Sequence, residues 1–329
     1  MYNPLPAAAV LFTRRFTSVA ARPFSPVAHL CIALPALLLA CLLPSGCTDP
    51  LETYQPQYGD QPRETATKRN YLLGVHPLHN PVRLFEVYGP LADLLSARIP
   101  NANFTLEASY NYAEFDKKLY GGHFDLALPN PYQTINALAH GYQVFGKMAD
   151  DASFRGIILV RKDSGIRTIA DLKGKAVSFP AATALAATMM PQQYLHDHGL
   201  PMTAYESRYV GSQESAIMNV YLGSTAAGAT WPPPWSAFQK SHPDQAAQLT
   251  VQWQTKPLPN NGLVARDDFP PELLKQVSDI VFNLQNSAEG KAILARIPLS
   301  HFEPATAKTY VPVRLFVAHF DKTVRRLKE

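Results

Sequence analysis

The chain has 329 residues, 47% apolar and only 17% charged, enough to bury a sizeable core and too apolar for extended disorder. Its net charge of +4 includes Arg14, Arg15 and Arg22, which stand in an acid-free stretch covering residues 1–46. The remainder is close to neutral, which excludes the clustered Lys/Arg footprint of a nucleic-acid binder.

The N-terminal 46 residues read as a signal peptide. Leu30–Leu43 is an uncharged apolar run of h-region length, about 7–15 residues. A spanning helix needs about 20, and Pro35 and Pro44 interrupt this run. It ends in Pro44-Ser-Gly-Cys47, which resembles the lipobox of bacterial lipoproteins, although Pro44 stands where leucine is usual. Leu38-Leu-Ala-Cys41 is a second candidate; Cys47 is preferred because polar Thr48-Asp49 follow it at once. Cleavage without lipidation is the plainer alternative. The third cysteine is Cys31, so no cysteine chemistry reaches the body of the chain. Residues 47–70 are polar, carry Pro50, Pro56 and Pro62, and read as a flexible tether.

The body predicts alternating strands and helices. Strands are expected at Tyr71–Val75, Phe104–Ala108 and Phe124–Leu128, with helices at Pro81–Ala97, Ala113–Tyr120 and from Asn130-Pro131 to Gly141. Gly156–Arg161 is a strongly apolar strand outside that series. A second α/β series follows: a short helix at Ile169–Leu172, strand Ala176–Phe179, helix Thr183–His198, strand Ala204–Tyr209, helix Ser212–Gly223 and strand Ala226–Thr230. Leu263–Arg266 reads as the return crossing, and helices near Pro271–Gln285, Ala288–Ala295 and Pro312–Lys328 close the chain. The expected fold is α/β and two-lobed. Each lobe is a mostly parallel sheet flanked by helices, lobe 1 covering 71–154 and 268–329 and lobe 2 covering 155–267, with a ligand cleft between them.

Several motifs carry a family resemblance in order along the body. They are Gly89-Pro-Leu-Ala-Asp-Leu-Leu-Ser96, Phe124-Asp-Leu-Ala127 with Asn130-x-Tyr132, Arg161-Lys-Asp-Ser-Gly-Ile166 with Ile169-Ala-Asp-Leu-Lys-Gly-Lys175, Gly211-Ser-Gln-Glu-Ser-Ala216, Pro259-Asn-Asn-Gly-Leu-Val-Ala-Arg266 and Tyr310-Val-Pro-Val-Arg314. Together they resemble the phosphate/phosphite/phosphonate-binding family of ABC importers, with the type II periplasmic binding protein fold. The resemblance implies a non-enzymatic solute-binding lipoprotein, monomeric and without cofactor, held outside the membrane and serving an ABC permease. Alternatives are a ligand-sensing lipoprotein partnering a membrane sensor, and a thiamine-pyrimidine-precursor-type protein sharing the fold. No Gly-x-Ser-x-Gly elbow, P-loop or Gly-x-Gly-x-x-Gly fingerprint favours an enzyme.

Candidate ligand contacts come from strand-to-helix turns. Asn80-Pro81, Asn130-Pro131, Thr183 and Ser212 are cap types at helix starts, where unpaired N–H groups and the helix dipole favour an anion. The resemblance adds Tyr112, Asn130 and Tyr132 as lobe 1 contacts. It places the family's Ser-Thr-Ser anion grip at Ala184-Leu185-Ala186, beside Thr183. It sets Gln213 where several relatives have histidine, and Trp231 just after the strand where they often have an acid. Loss of those hydroxyls and of the acid argues for a larger or less charged ligand than inorganic phosphate. Trp231-Pro-Pro-Pro-Trp235 is expected to be extended, with Trp231 either walling the ligand or packing on the lobe and Trp235 packing; Trp253 is expected in the core. His76 is expected to line the cleft as a hydrogen-bond donor. His76-x-x-His79 has no third partner in view for a metal, so none is assigned. Arg155 either pairs with Asp150 or Asp151 or faces the cleft.

Overall fold

The computed structural model describes residues 68–327. The signal peptide, the candidate lipidation site Cys47, its rival Cys41 and most of the tether lie outside the described residues. The described residues form one compact unit.

The first half alternates as the residue pattern dictates. Strand β1 (Arg69–Val75) runs into helix α1 (Pro81–Arg98). Asn80 caps that helix by accepting the Arg83 N–H at 3.0 Å, and Pro81 occupies the first turn, where its missing N–H costs nothing. Leu84, Val87, Tyr88, Leu91 and Leu95 recur at helical spacing and are buried. Strand β2 (Ala102–Glu107) and helix α2 (Tyr112–Tyr120) follow, with Tyr112, Phe115 and Leu119 on the buried face. Strand β3 (Leu126–Leu128) leads into α3 (Pro131–Ala137) through a capping box between Asn130 and Gln133.

Next come strands β4 (Tyr142–Met148), β5 (Ile157–Arg161) and β6 (Ala176–Phe179). A single wide turn of i→i+5 type (Leu185–Met189) feeds α4 (Met190–Asp197). Then follow β7 (Glu206–Tyr209), α5 (Gln213–Tyr221), β8 (Ala227–Thr230), α6 (Pro232–Ser241), α7 (Pro243–Ala246), β9 (Leu249–Gln254) and β10 (Gly262–Arg266). The chain closes with α8 (Pro271–Val281), α9 (Ala288–Arg296), β11 (Phe302–Pro304) and α10 (Val311–Thr323).

Two sheets result. One has six strands in the order β11-β4-β10-β3-β1-β2, the other five in the order β7-β6-β8-β5-β9. The two-lobed α/β arrangement is as expected, but both sheets are mixed. The β1–β2, β1–β3, β6–β7 and β6–β8 pairs are parallel, whereas every pair made by β4, β5 or β10 is antiparallel. The antiparallel pairs arise where the chain passes between lobes, because a crossing strand enters its sheet without a helical return.

β10 lies between β3 and β4, so it belongs to the six-stranded sheet. The expected lobe 2 extent of 155–267 is therefore too long: the return crossing is 255–261. The two crossings are bonded to each other. Thr255 N donates to Gly156 O at 2.9 Å, Gly156 N to Thr255 Oγ1 at 3.0 Å, and Leu258 N to Phe154 O at 3.0 Å.

Strands β4, β9 and β11 and helices α6 and α7 are absent from the sequence-based expectation. The Trp231–Trp235 string corrects it most sharply. It is not extended; α6 starts at Pro232, because prolines in a first helical turn forfeit only N–H groups that would have no partner there. Trp235 packs beside Phe238 in the core of lobe 2. Trp253 is only half-buried, against the core on the other face of that sheet.

Candidate ligand-binding site

His76 follows β1, Tyr112 opens α2, Asn130 caps α3 and Asn261 precedes β10. From the other lobe, the turn Ala184–Ala187, Gln213 at the start of α5 and Trp231 before α6 face them, with Phe154 of the first crossing between the two groups. Together these residues line one small cavity of about 10 Å³, close to the minimum that holds a water molecule. None of the side chains lining it is a lysine, arginine, aspartate or glutamate.

The lobes touch through named bonds around this cavity. Asn130 donates Nδ2–H to Thr183 O at 3.0 Å, while its Oδ1 accepts the Gln133 N–H as a helix cap. Thr183 donates its hydroxyl to Asp116 Oδ2 at 3.2 Å, and Gln133 donates to the other oxygen of that carboxylate at 2.6 Å. Gln213 donates to Tyr112 OH at 3.5 Å and accepts from Thr230 at 2.9 Å. The Trp231 indole meets Phe154 edge-on, with centroids 5.3 Å apart. Gly156 makes the approach of the 184–187 turn possible, since a Cβ there would lie 2.6 Å from Ala186 O.

The anion-attracting feature is main chain. Thr188 N–H and Met189 N–H are the first to bond back into the turn, both to Ala184 O. The amides of Leu185, Ala186 and Ala187 stand ahead of that first bond, where a helix head leaves its N–H groups without intrahelical partners. Two of them, Leu185 and Ala186, fall in the Ala184–Ala186 stretch that the family resemblance assigns to the anion grip. Their side chains carry no hydroxyls, so only the backbone there could hold an anion.

His76 is fully enclosed, and burial holds its pKa down to about 4, so the ring is neutral near pH 7. Its Nδ1 lies 2.9 Å from Leu128 O. A carbonyl only accepts, so Nδ1 carries the proton and Nε2 is left as an acceptor. The expectation that His76 offers a donor to the cleft is thereby corrected. Burial also holds His79 down to about 4, with Arg83 adding to it, and pushes the Tyr112 phenol well above its usual range. Asp116 is pushed up to about 6, chiefly by burial.

The other expected contacts sit elsewhere. Tyr132 is buried in the lobe 1 core and does not line the cavity. Asn80 and Ser212 cap α1 and α5 and line a broad groove of about 1230 Å³, which meets the small cavity at Gln213 and Trp231. Thr183 acts one step back, through Asp116 and Asn130. Arg155 makes no ion pair among the described residues, and its Nε is buried without a partner. Among the described residues no group of three or more His, Cys, Asp or Glu is placed to hold a metal. The sequence reading missed Asp116, Phe154 and Asn261. Asp116 was findable, one helical turn from Tyr112 on the same face, and Asn261 stood inside a recognised motif.

Two sheets joined by paired crossings, with a small uncharged cavity between helix heads, define a two-lobed solute-binding fold. Residues 73–310 match the model of the family described as ABC transporter, phosphonate, periplasmic substrate-binding protein, and the chain belongs to that family. Its members are substrate-binding components of transport systems rather than enzymes. The fold is similar to that of a binding protein component of an ABC phosphonate transporter from Pseudomonas aeruginosa, with a TM-score of 0.72 and 17% identity over 78% of this chain and 88% of that one. It is similar to the same degree, 0.72, to PhnD1 of Prochlorococcus marinus in complex with methylphosphonate, at 19% identity over 78% of this chain and 100% of that one. The alkanesulfonate-binding protein SsuA of Xanthomonas axonopodis, bound to MOPS, matches at 0.57 with 18% identity over 80% of this chain and 96% of that one.

Proposed function

We propose that this chain captures a small oxyanion bearing an organic part, a phosphonate or related organic oxyanion, by closing its two lobes over it. The observation that carries the reading is the cavity lining: the helix-head turn Ala184–Ala187 opposite Tyr112 and Asn130, with Trp231 as an aromatic wall and no charged side chain. Backbone N–H groups and a helix dipole hold an anion without a counter-charge. The aromatic wall and the groove beyond it favour an organic substituent over a fully hydrated phosphate. The relative crystallised with methylphosphonate supports the same class.

His76, Tyr112, Asn130, Gln213 and Trp231 make the direct contacts in this reading. Thr183 positions the lobe 2 turn, and Asn80, Ser212 and Tyr132 shape the surroundings. Calorimetric titration with organophosphonates, methylphosphonate, phosphite and phosphate tests it. The larger organophosphonates are expected to bind most tightly; tight phosphate binding with no binding of organic analogues overturns it. Distances between labels on the two lobes are expected to shorten on saturation, as a ligand that prefers the closed form requires.

The protein works as a monomer, anchored through a lipidated Cys47 and delivering its ligand to a membrane permease. Cys47→Ser is expected to release it from membranes in a detergent-partition assay. Unchanged partition overturns the anchor, and release only by Cys41→Ser moves it to that residue.

A further inference from the structure

Two residues lining the cavity carry acceptors that meet no donor among the described residues. One is His76 Nε2, left bare because Nδ1–H is committed to Leu128 O at 2.9 Å. The other is Asn261 Oδ1, fully buried and without a partner. The orientation of that amide follows from its other end: Nδ2 lies 3.4 Å from Met148 Sδ, a weak acceptor, and a flipped amide would set oxygen against sulfur. Both residues line the same small cavity as the helix-head amides. A buried acceptor left unpaired, as Asn261 Oδ1 is, is costly.

A fully deprotonated oxyanion makes that cost worse, because it brings only lone pairs to His76 and Asn261. Building on the phosphonate reading, we propose that His76 and Asn261 act as a proton gate on the ligand, selecting an oxyanion head that still carries a proton, as the hydrogen-phosphonate monoanion does. The amides of the lobe 2 turn and the Tyr112 hydroxyl hold the charged oxygens, and the P–OH donates to the lobe 1 acceptors. A sulfonate of the same shape and charge has no such proton and is rejected. The rejection is of the strong kind, in which a site built for a donor is left with unmet polar groups.

The titratable groups around the site keep the ligand's own ionisation readable above neutrality. His76 and His79 stay neutral there, Tyr112 and Tyr132 are raised by burial, and Asp116, at about 6, is already ionised. On the crossing side, Lys147 is paired with Asp151 and Glu303.

The test is calorimetric titration of the intact protein with methylphosphonate and methanesulfonate from about pH 7 to about pH 9, across and above the second ionisation of a phosphorus acid. Methylphosphonate affinity is expected to fall, approaching about tenfold per pH unit once the dianion dominates, and methanesulfonate to bind at least about a hundredfold more weakly at the lower pH. Asn261→Leu, near in volume and lacking the acceptor, is expected to narrow the gap between the two ligands to about tenfold or less. Affinity that is flat or rising with pH, or equal binding of the two ligands, overturns the proton gate and leaves the phosphonate reading standing. Failure of both ligands to bind overturns both.

Discussion

From the six-stranded side the cavity receives His76, Tyr112, Asn130 and Asn261; from the five-stranded side it receives Ala184–Ala187, Trp231 and a single polar side chain, Gln213. Lobe 1 thus contributes directional side-chain groups fixed by their own helix caps and strand ends. Lobe 2 contributes backbone amides and apolar bulk. The two walls teach that, in the proposed site, anion binding and ligand discrimination are separable: a helix head attracts negative charge of any identity, while side-chain donors and acceptors would decide which head group and which protonation state is accepted.

Substitutions on the two walls should therefore fail differently. Trp231→Ala removes a 3% exposed indole packed on Phe154 and should cost about 3–5 kcal/mol of stability, read as a fall in denaturant midpoint. On the lobe 1 wall, Tyr112→Phe should leave that midpoint nearly unchanged while weakening phosphonate binding by about tenfold, the value of one hydrogen bond. A large stability loss with unchanged affinity at Tyr112 would erase the distinction between the walls.

Asp116 probes the seam between them. Burial lifts its pKa from 3.8 to about 6, so the folded form keeps a proton that the unfolded chain releases. Its contribution to stability is complete below about pH 4 and is lost as pH rises through about 6. The midpoint for Asp116→Asn should lack that component of the decline, as denaturation at stepped pH would register. The smallest effect is expected from Thr183→Val, which deletes one half-exposed bond across the seam. It should shift the inter-lobe label distance towards the open form and cost about 1 kcal/mol or less.

Much of this architecture was legible in the residues. The strand at Ala176–Phe179 and the helices headed by Asn80-Pro81, Asn130-Pro131 and Ser212 fall where apolar runs and cap types place them. β4 escaped notice because Gly146 and Lys147 interrupt its pattern, and Lys147 is buried only by virtue of Asp151 and Glu303, which are brought to it by the fold. α6 escaped because three consecutive prolines suit both an extended segment and a helix start, and only the chain around them decides. At the candidate site, residue type singled out His76, which lines the cavity, but not which nitrogen it would offer. That depends on a carbonyl 52 residues away in sequence, Leu128 O.

Helix α10 packs on α3 of one lobe and on α4 of the other. Its end is tied to lobe 2 by Thr323, donating to Gln193 Oε1 at 3.2 Å, and by Arg325, whose Nε donates to Gln192 Oε1 at 3.3 Å. In the proposed capture, this brace and a cavity of water size set the tempo of exchange. A solute reaches the amides only during excursions in which the brace has let go, so arrival slows in proportion to the fraction of time spent open. Departure waits on the same event, and residence time becomes a property of a C-terminal helix that never touches the cargo.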